Sequence, residues 1–153
     1  LPERFKLDYV AADGSKQRPI MIHRAIFGSL ERFFGIMTEN YAGDFPFWLA
    51  PEQIRLLPVT DEVQGYADDL CQQLTSAGVR ACVDRSGERL GKLIRTGEKM
   101  KIPVLAVIGA KEAEQSGASL RSRRDGDLGL VDAEVLIKAA CQANQSRSQS
   151  LSL

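Results

Sequence analysis

The sequence is poor in the residues that most often announce a catalytic or metal site. It has one histidine, His23, and three widely spaced cysteines, Cys71, Cys82 and Cys141, which form no paired-cysteine metal or redox motif. A single imidazole cannot supply the roughly three protein ligands of a catalytic zinc. Each cysteine has apolar neighbours and reads as a reduced, packed thiol, which fits an intracellular, reducing compartment. Net charge is absent too, because 20 Lys and Arg balance 20 Asp and Glu. That excludes a uniformly basic polyanion binder. No apolar run nears the roughly 18 residues needed to span a bilayer, and no signal peptide is expected from the pattern. A glycine-rich phosphate loop is also missing. Pro58-Val59-Thr60-Asp61 follows the first strand of the second half, which argues against a small-ligand regulatory domain of doubly wound type. The first residue is Leu1 rather than Met, as expected of a piece of something longer.

What is present is unevenly placed. Of ten aromatic residues, seven lie between Phe27 and Trp48, and only Tyr66 follows. With Pro46 and Pro51 flanking Trp48-Leu49-Ala50, this composition shift places a domain border near Pro51. The expected organisation is a first domain part over residues 1–50, a second domain over 51–144, and a low-complexity, disordered tail over 145–153. Charge is uneven as well. From Asp84 to Arg124 there are ten basic residues against five acidic ones, which suggests one face for a polyanion or simply a solvated basic face.

Before the border, Phe5–Ala11 and Pro19–Ile26 read as hairpin strands around Asp13-Gly14-Ser15-Lys16. A helix is expected over Ser29–Asn40, with Leu30, Phe33, Phe34, Met37 and Tyr41 as its apolar stripe. After the border the expected elements are a strand Ile54–Val59, a helix opened by a capping box at Asp61-Glu62-Val63-Gln64 and closed by Gly78, and a strand Val79–Val83. A basic helix Leu90–Met100, a strand Val104–Ile108, an edge strand Ala118–Arg123 turned by Asp125-Gly126, and a helix Val131–Ala143 follow. The implied class is α/β, with a mixed, mostly parallel sheet and helices on both faces.

Three groups of residues could carry chemistry. His23, on the second expected strand, is either a hydrogen-bonded core histidine or a ligand. Gly28 opens a helix where free N–H groups favour an anion, with Arg32 one turn on; a flat anionic ligand or an ordinary salt bridge would each explain them. Lys92, Arg95 and Lys99 recur at helical spacing, and Arg121, Arg123 and Arg124 sit on or beyond an edge strand. Such spaced basic side chains suit single-stranded RNA, whose unstacked bases need hydrogen-bond partners, or else form a solvated surface.

Arg18-Pro19-Ile20-Met21-Ile22-His23-Arg24-Ala25-Ile26, then Gly28-Ser29-Leu30-Glu31-Arg32-Phe33 and Phe47-Trp48-Leu49-Ala50-Pro51, resembles the third class II synthetase motif as threonyl-tRNA synthetases write it. The resemblance extends to about Ala143. It implies a β-hairpin and helix from an antiparallel class II catalytic domain, followed by the five-stranded anticodon-binding fold. It implies further that His23 ligates zinc, that Arg32 contacts ATP (bound with Mg), and that Ser29, beside Gly28, lines the threonine and adenylate pocket. Arg95, Glu112 and Arg121 fall where the family's anticodon-contacting residues fall, while Gly87 stands where the bacterial pattern has asparagine. The implied partners are tRNA(Thr), threonine and ATP, in a homodimeric full-length enzyme without membrane attachment, in the cytoplasm or in an organellar matrix or stroma. The other zinc ligands, a cysteine and a histidine, and the first two class II motifs would lie upstream, so this piece alone is expected to be inactive. A stand-alone RNA-binding module with the same fold is the competing reading, and it would have no use for His23, Gly28 and Arg32.

Overall fold

The computed structural model describes residues 1–153. Contacts divide it into two compact units, Leu1–Ile36 and Met37–Leu153. The second unit therefore begins earlier than the compositional border at Pro51.

In the first unit, β1 (Tyr9–Val10) pairs antiparallel with β2 (Lys16–Gln17). The turn sets this register. Asp13 Oδ1 accepts from the Ser15 N–H and hydroxyl, and Gly14 takes the left-handed φ of +80° that glycine tolerates. Ala11 is thereby placed opposite Ser15, and Val10 opposite Lys16. The expected longer hairpin does not form, and residues 18–26 make no ladder. Continuing the register would bring Leu7 against Pro19, which has no N–H to donate. His23 is accordingly not on a strand, and Met21, His23 and Ala25 are exposed rather than sharing a sheet face.

The helix α1 (Leu30–Tyr41) follows, one residue later than expected at each end. Ser29 caps it: its hydroxyl accepts from the Arg32 N–H at 3.4 Å. At the other end the Gly43 N–H reaches back to the Thr38 carbonyl, with Gly43 at φ +74°. No residue of α1 is buried. Its aromatic residues meet near neighbours in the chain, Phe27 stacking on Phe33 at 4.5 Å, Phe33 meeting Phe34 edge-on and Tyr41 lying tilted against Phe45 at 5.7 Å.

In the second unit, β3 (Ile54–Pro58), α2 (Gln64–Ser76), β4 (Ala81–Val83), α3 (Leu90–Lys99), β5 (Val104–Ile108), α4 (Ala110–Glu114), β6 (Gly117–Ser122), β7 (Gly126–Asp132) and α5 (Ala133–Gln145) build a mixed sheet of order β4-β3-β5-β6-β7. β3 pairs parallel with β4 and β5, while β6 runs antiparallel to both its neighbours. Strand alternation then assigns two faces. Ile54, Leu56, Val104, Ala106, Ile108, Ala118 and Leu120 meet α2 and α5 in the main core. Leu57 and Leu105 point the other way and meet Leu93 of α3. Helices thus cover both faces.

Three local expectations change. The capping box at Asp61 is replaced by a 3-10 turn, Asp61–Val63, and α2 starts at Gln64 with no side-chain cap. This tighter winding makes Gln64 the first helical residue, and its Nε2 is buried without a partner. β6 is not an edge strand, because β7 covers it; Gly126, Asp127 and Gly129 in β7 dilute any alternation. The tail is not loose either. The Phe47 N–H donates to the Gln149 carbonyl, Arg147 lies 5.7 Å over the Trp48 ring, and Leu151 is 4% exposed in the main core. A low-complexity composition hid one apolar anchor among its serines.

Candidate nucleic-acid interface

β6 builds the interface through alternation. Ser119 and Arg121 lie opposite Val107 and Leu105, on the α3 face of the sheet. α3 covers β3 and β5 there, and Arg121 at the adjoining part of β6 stays exposed. Gly97 lets the helix sit this close, since a Cβ at that position would lie 2.5 Å from a Leu105 methyl. The helix then presents Arg95 and Glu98, three apart and therefore on one side. Glu98 faces Arg121 at 3.7 Å. At the other end of the row, Glu112 of α4 accepts from the Ser119 hydroxyl at 2.7 Å and from the Gly109 N–H at 3.0 Å. These two hydrogen bonds, the serine's foremost, hold its carboxyl below the ordinary glutamate range.

One face therefore carries Glu98, Arg121, Ser119 and Glu112, with Arg95 exposed on α3 three residues before Glu98. Three of these were expected from the sequence. Glu98 and Ser119, which tie the row together, were not, and neither carries a sequence signal; only the β5–β6 register reveals them. Such a row offers cationic forks, a hydroxyl and a carboxylate at fixed spacing, the set that reads unstacked base edges. Lys92 is turned to Glu88 at 2.6 Å, and Arg85 to Asp68 at 2.7 Å, so both are already paired. Gly87 has φ +67°, a conformation that glycine and asparagine share, so the loop keeps the shape an asparagine would give it while losing the side-chain amide.

In the first unit Gly28, Ser29 and Arg32 do come together. Gly28 turns at φ +69° into the α1 N-terminus, Ser29 caps it and bonds Glu31, and Arg32 projects from the first turn, exposed. The Ser29 hydroxyl holds the Glu31 carboxyl below its usual range. His23 is exposed and has no companion donors, and no group of three His, Cys, Asp or Glu is placed to hold a metal. The cysteines are occupied elsewhere: Cys71 and Cys141 donate to the Ala81 and Ala77 carbonyls, and Cys82 to Glu52. Burial, with Glu52 beside it, pushes the Cys82 thiol up to about 11. The residues of this chain do not by themselves make a zinc site.

The family model described as "Anticodon binding domain" matches residues 53–142. The chain belongs to the anticodon-binding domain family, and its mixed five-stranded sheet with helices is that family's fold. Across almost its whole length it is similar to threonine–tRNA ligases. It is 81% identical to that of Synechococcus sp. (strain CC9311) over 152 residues, covering 99% of this chain and 25% of the relative, and 80% identical to that of Parasynechococcus marenigrum (strain WH8102). It thus spans about a quarter of the length of the curated relatives it matches. Among solved structures, the RNA-binding domain of threonyl-tRNA synthetase from Cryptosporidium parvum Iowa II aligns with 99% of this chain and 37% of that one, at TM-score 0.70 and 30% identity. Histidyl-tRNA synthetase from Nostoc sp. PCC 7120 shares the fold over 64% of this chain, covering 23% of that one, at TM-score 0.57 and 24% identity. No helix is long and apolar enough to cross a membrane.

Proposed function

We propose that this chain is the tRNA-reading part of a threonine–tRNA ligase together with one wall of its active site, and that the row from Arg95 to Glu112 reads the anticodon of tRNA(Thr). The observation that supports this reading is that Arg121 of β6, paired with Glu98 of α3, shares a sheet face with Ser119, which is bonded to Glu112 of α4, in a domain that matches the anticodon-binding family. Arginine forks serve guanine or phosphate, and a carboxylate accepts from exocyclic amines. The chain is expected to bind tRNA(Thr) in preference to a tRNA with a replaced anticodon. Arg95→Ala and Arg121→Ala should each weaken that binding by roughly 10-fold, in line with 1–3 kcal/mol for a base-contacting arginine. Filter binding or anisotropy at fixed moderate salt reads the effect, and unchanged affinity in both variants would remove the assignment.

The same reading places Gly28, Ser29 and Arg32 at the adenylate-forming site of the whole ligase. The α1 N-terminus and its first-turn guanidinium suit the phosphates of ATP, and ATP would arrive with Mg. Leu30, Phe34 and Ile36 of α1 and Ile20, Ile22 and Ile26 before it are all exposed, the last three at 64% or more. An apolar surface of that extent suits coverage by the remainder of a ligase four times as long, acting as a homodimer in the cytoplasm or an organelle. His23 would be one zinc ligand, with its companions supplied from beyond these residues. Zinc bound there would select threonine over valine through its hydroxyl. Metal analysis of the whole ligase carrying His23→Ala decides this: zinc content should fall well below one per subunit, and undiminished zinc would exclude His23.

A further inference from the structure

Beside the reading face opens a hollow of about 430 Å3, with Asp44, Glu98, Leu105, Arg121, Arg123 and Arg124 in its lining. Its arginines are unequally committed. Arg123 is fixed, with Nε 3.0 Å from Asp44 Oδ1 and Nη1 donating to the Glu98 carbonyl at 2.7 Å. Arg121 meets the Glu98 carboxylate only at 3.7 Å, and Arg124 meets Asp44 only at 3.8 Å. The other partner of Arg124 is the side-chain oxygen of Gln149, an exposed neutral amide. Two carboxylates thus serve three guanidiniums, and long, solvated pairs of this kind hold their partners weakly.

Such a wall fits a ligand with one negative charge and several acceptor oxygens. A phosphodiester has both, and guanidinium forks match its oxygens. A free carboxylate ligand would merely duplicate Asp44 and Glu98, whereas a chain of phosphates running past Arg121 reaches the hollow from the reading face. We propose that this hollow seats a backbone phosphate of the bound RNA, with Arg124 as the principal donor and Arg123, anchored by Asp44, as the fixed side of the seat. The proposal rests on the anticodon reading and adds a site to it that carries no sequence information, since backbone contacts set register rather than specificity.

The test compares tRNA(Thr) with a tRNA of replaced anticodon, each titrated with the 153-residue chain over a salt series. Arg124→Gln should weaken both RNAs alike, by about five-fold, and make log affinity against log salt shallower by about 0.7, the share of one single-strand phosphate contact. Asp44→Asn should do the opposite and tighten both, because its amide oxygen can still accept from Arg123 Nε while the charge that competes for Arg124 is gone. Unchanged affinity and slope in Arg124→Gln would overturn the site, and so would a loss confined to tRNA(Thr), which would make Arg124 a base reader. The two readings fail separately. An Arg121→Ala loss with a neutral Arg124→Gln keeps the anticodon face and removes the phosphate seat. Equal wild-type affinity for both RNAs, still weakened by Arg124→Gln, does the reverse.

Discussion

Gln53→Ala should cost about 4 kcal/mol of unfolding free energy, against the ~1 kcal/mol typical of a point substitution. Gln53 is fully buried immediately before β3, and its side chain holds three segments together. Nε2 donates to the Phe47 carbonyl at 2.8 Å and to Asn144 Oδ1 at 2.5 Å, while Oε1 accepts from the Arg80 N–H at 2.9 Å. The turn carrying Phe47, the approach to β4 and the end of α5 are thus fastened at one amide. Alanine leaves the buried Phe47 carbonyl with only the Ala50 N–H at 3.3 Å, and takes away the Gln53 partner of the Arg80 N–H and of Asn144 Oδ1. Each orphan costs about 1–3 kcal/mol, and the space left by the lost side chain adds roughly one more. Urea unfolding monitored at Trp48 measures the difference. Gln53→Met, which keeps the volume and loses the hydrogen bonds, should retain most of the loss if satisfaction of the orphans dominates. A cost below about 1 kcal/mol for Gln53→Ala would show that water reaches these groups.

The elements that were legible in the sequence are those whose signal is local. β5 is a continuous apolar run, Val104–Ile108, and its bounds in the structure are those of the run. Gly78 closes α2 because a left-handed residue is needed there, and the Val79 N–H bonds the Leu74 carbonyl as that motif requires. The mixed sheet with helices on both faces followed from the order of such pieces. What was hidden depends on partners distant in sequence. Nothing in Pro51-Glu52-Gln53 marks Gln53 as a fastener, because Phe47, Arg80 and Asn144 identify it only once folded. β7, with two glycines and a bulge where it passes Leu120 and Arg121, has no alternation to read. In the candidate interface, helical spacing showed Lys92, Arg95 and Lys99 as equals. Only the folded chain shows that Lys92 is turned to Glu88 and that Glu98 of the same helix meets Arg121. The strand expected over Pro19–Ile26 does not form, because a strand requires a ladder and Pro19 blocks the one within reach.

Gly117→Val should cost about 3 kcal/mol and disturb the interface from behind. Gly117 begins β6 opposite Asp132 of β7, and its backbone lies so close that a Cβ would stand 2.6 Å from the Val131 carbonyl oxygen and 3.2 Å from a Leu130 methyl. A methyl of a neighbouring side chain can rotate away; a carbonyl held in a ladder cannot. The strands must separate, and overpacking of this kind costs roughly 1–3 kcal/mol before further contacts are counted. More contacts are at stake. The Gly117 carbonyl accepts from the Tyr66 hydroxyl at 3.2 Å, and Asp132, across the ladder, caps α5 by accepting from the Glu134 N–H at 2.8 Å. Displacing this corner therefore loosens β6, the attachment of α2 and the start of α5 together. Gly91→Ala is the control, since that helical glycine has open space around its Cβ position and should gain several tenths of a kcal/mol from helix propensity. Thermal unfolding of the two variants separates close approach from a general intolerance of glycine replacement. Equal stability of Gly117→Val and the parent chain would mean that β7 can move off β6 at no cost. In that case the row through Ser119 and Arg121 would lack the rigid backing that base reading requires.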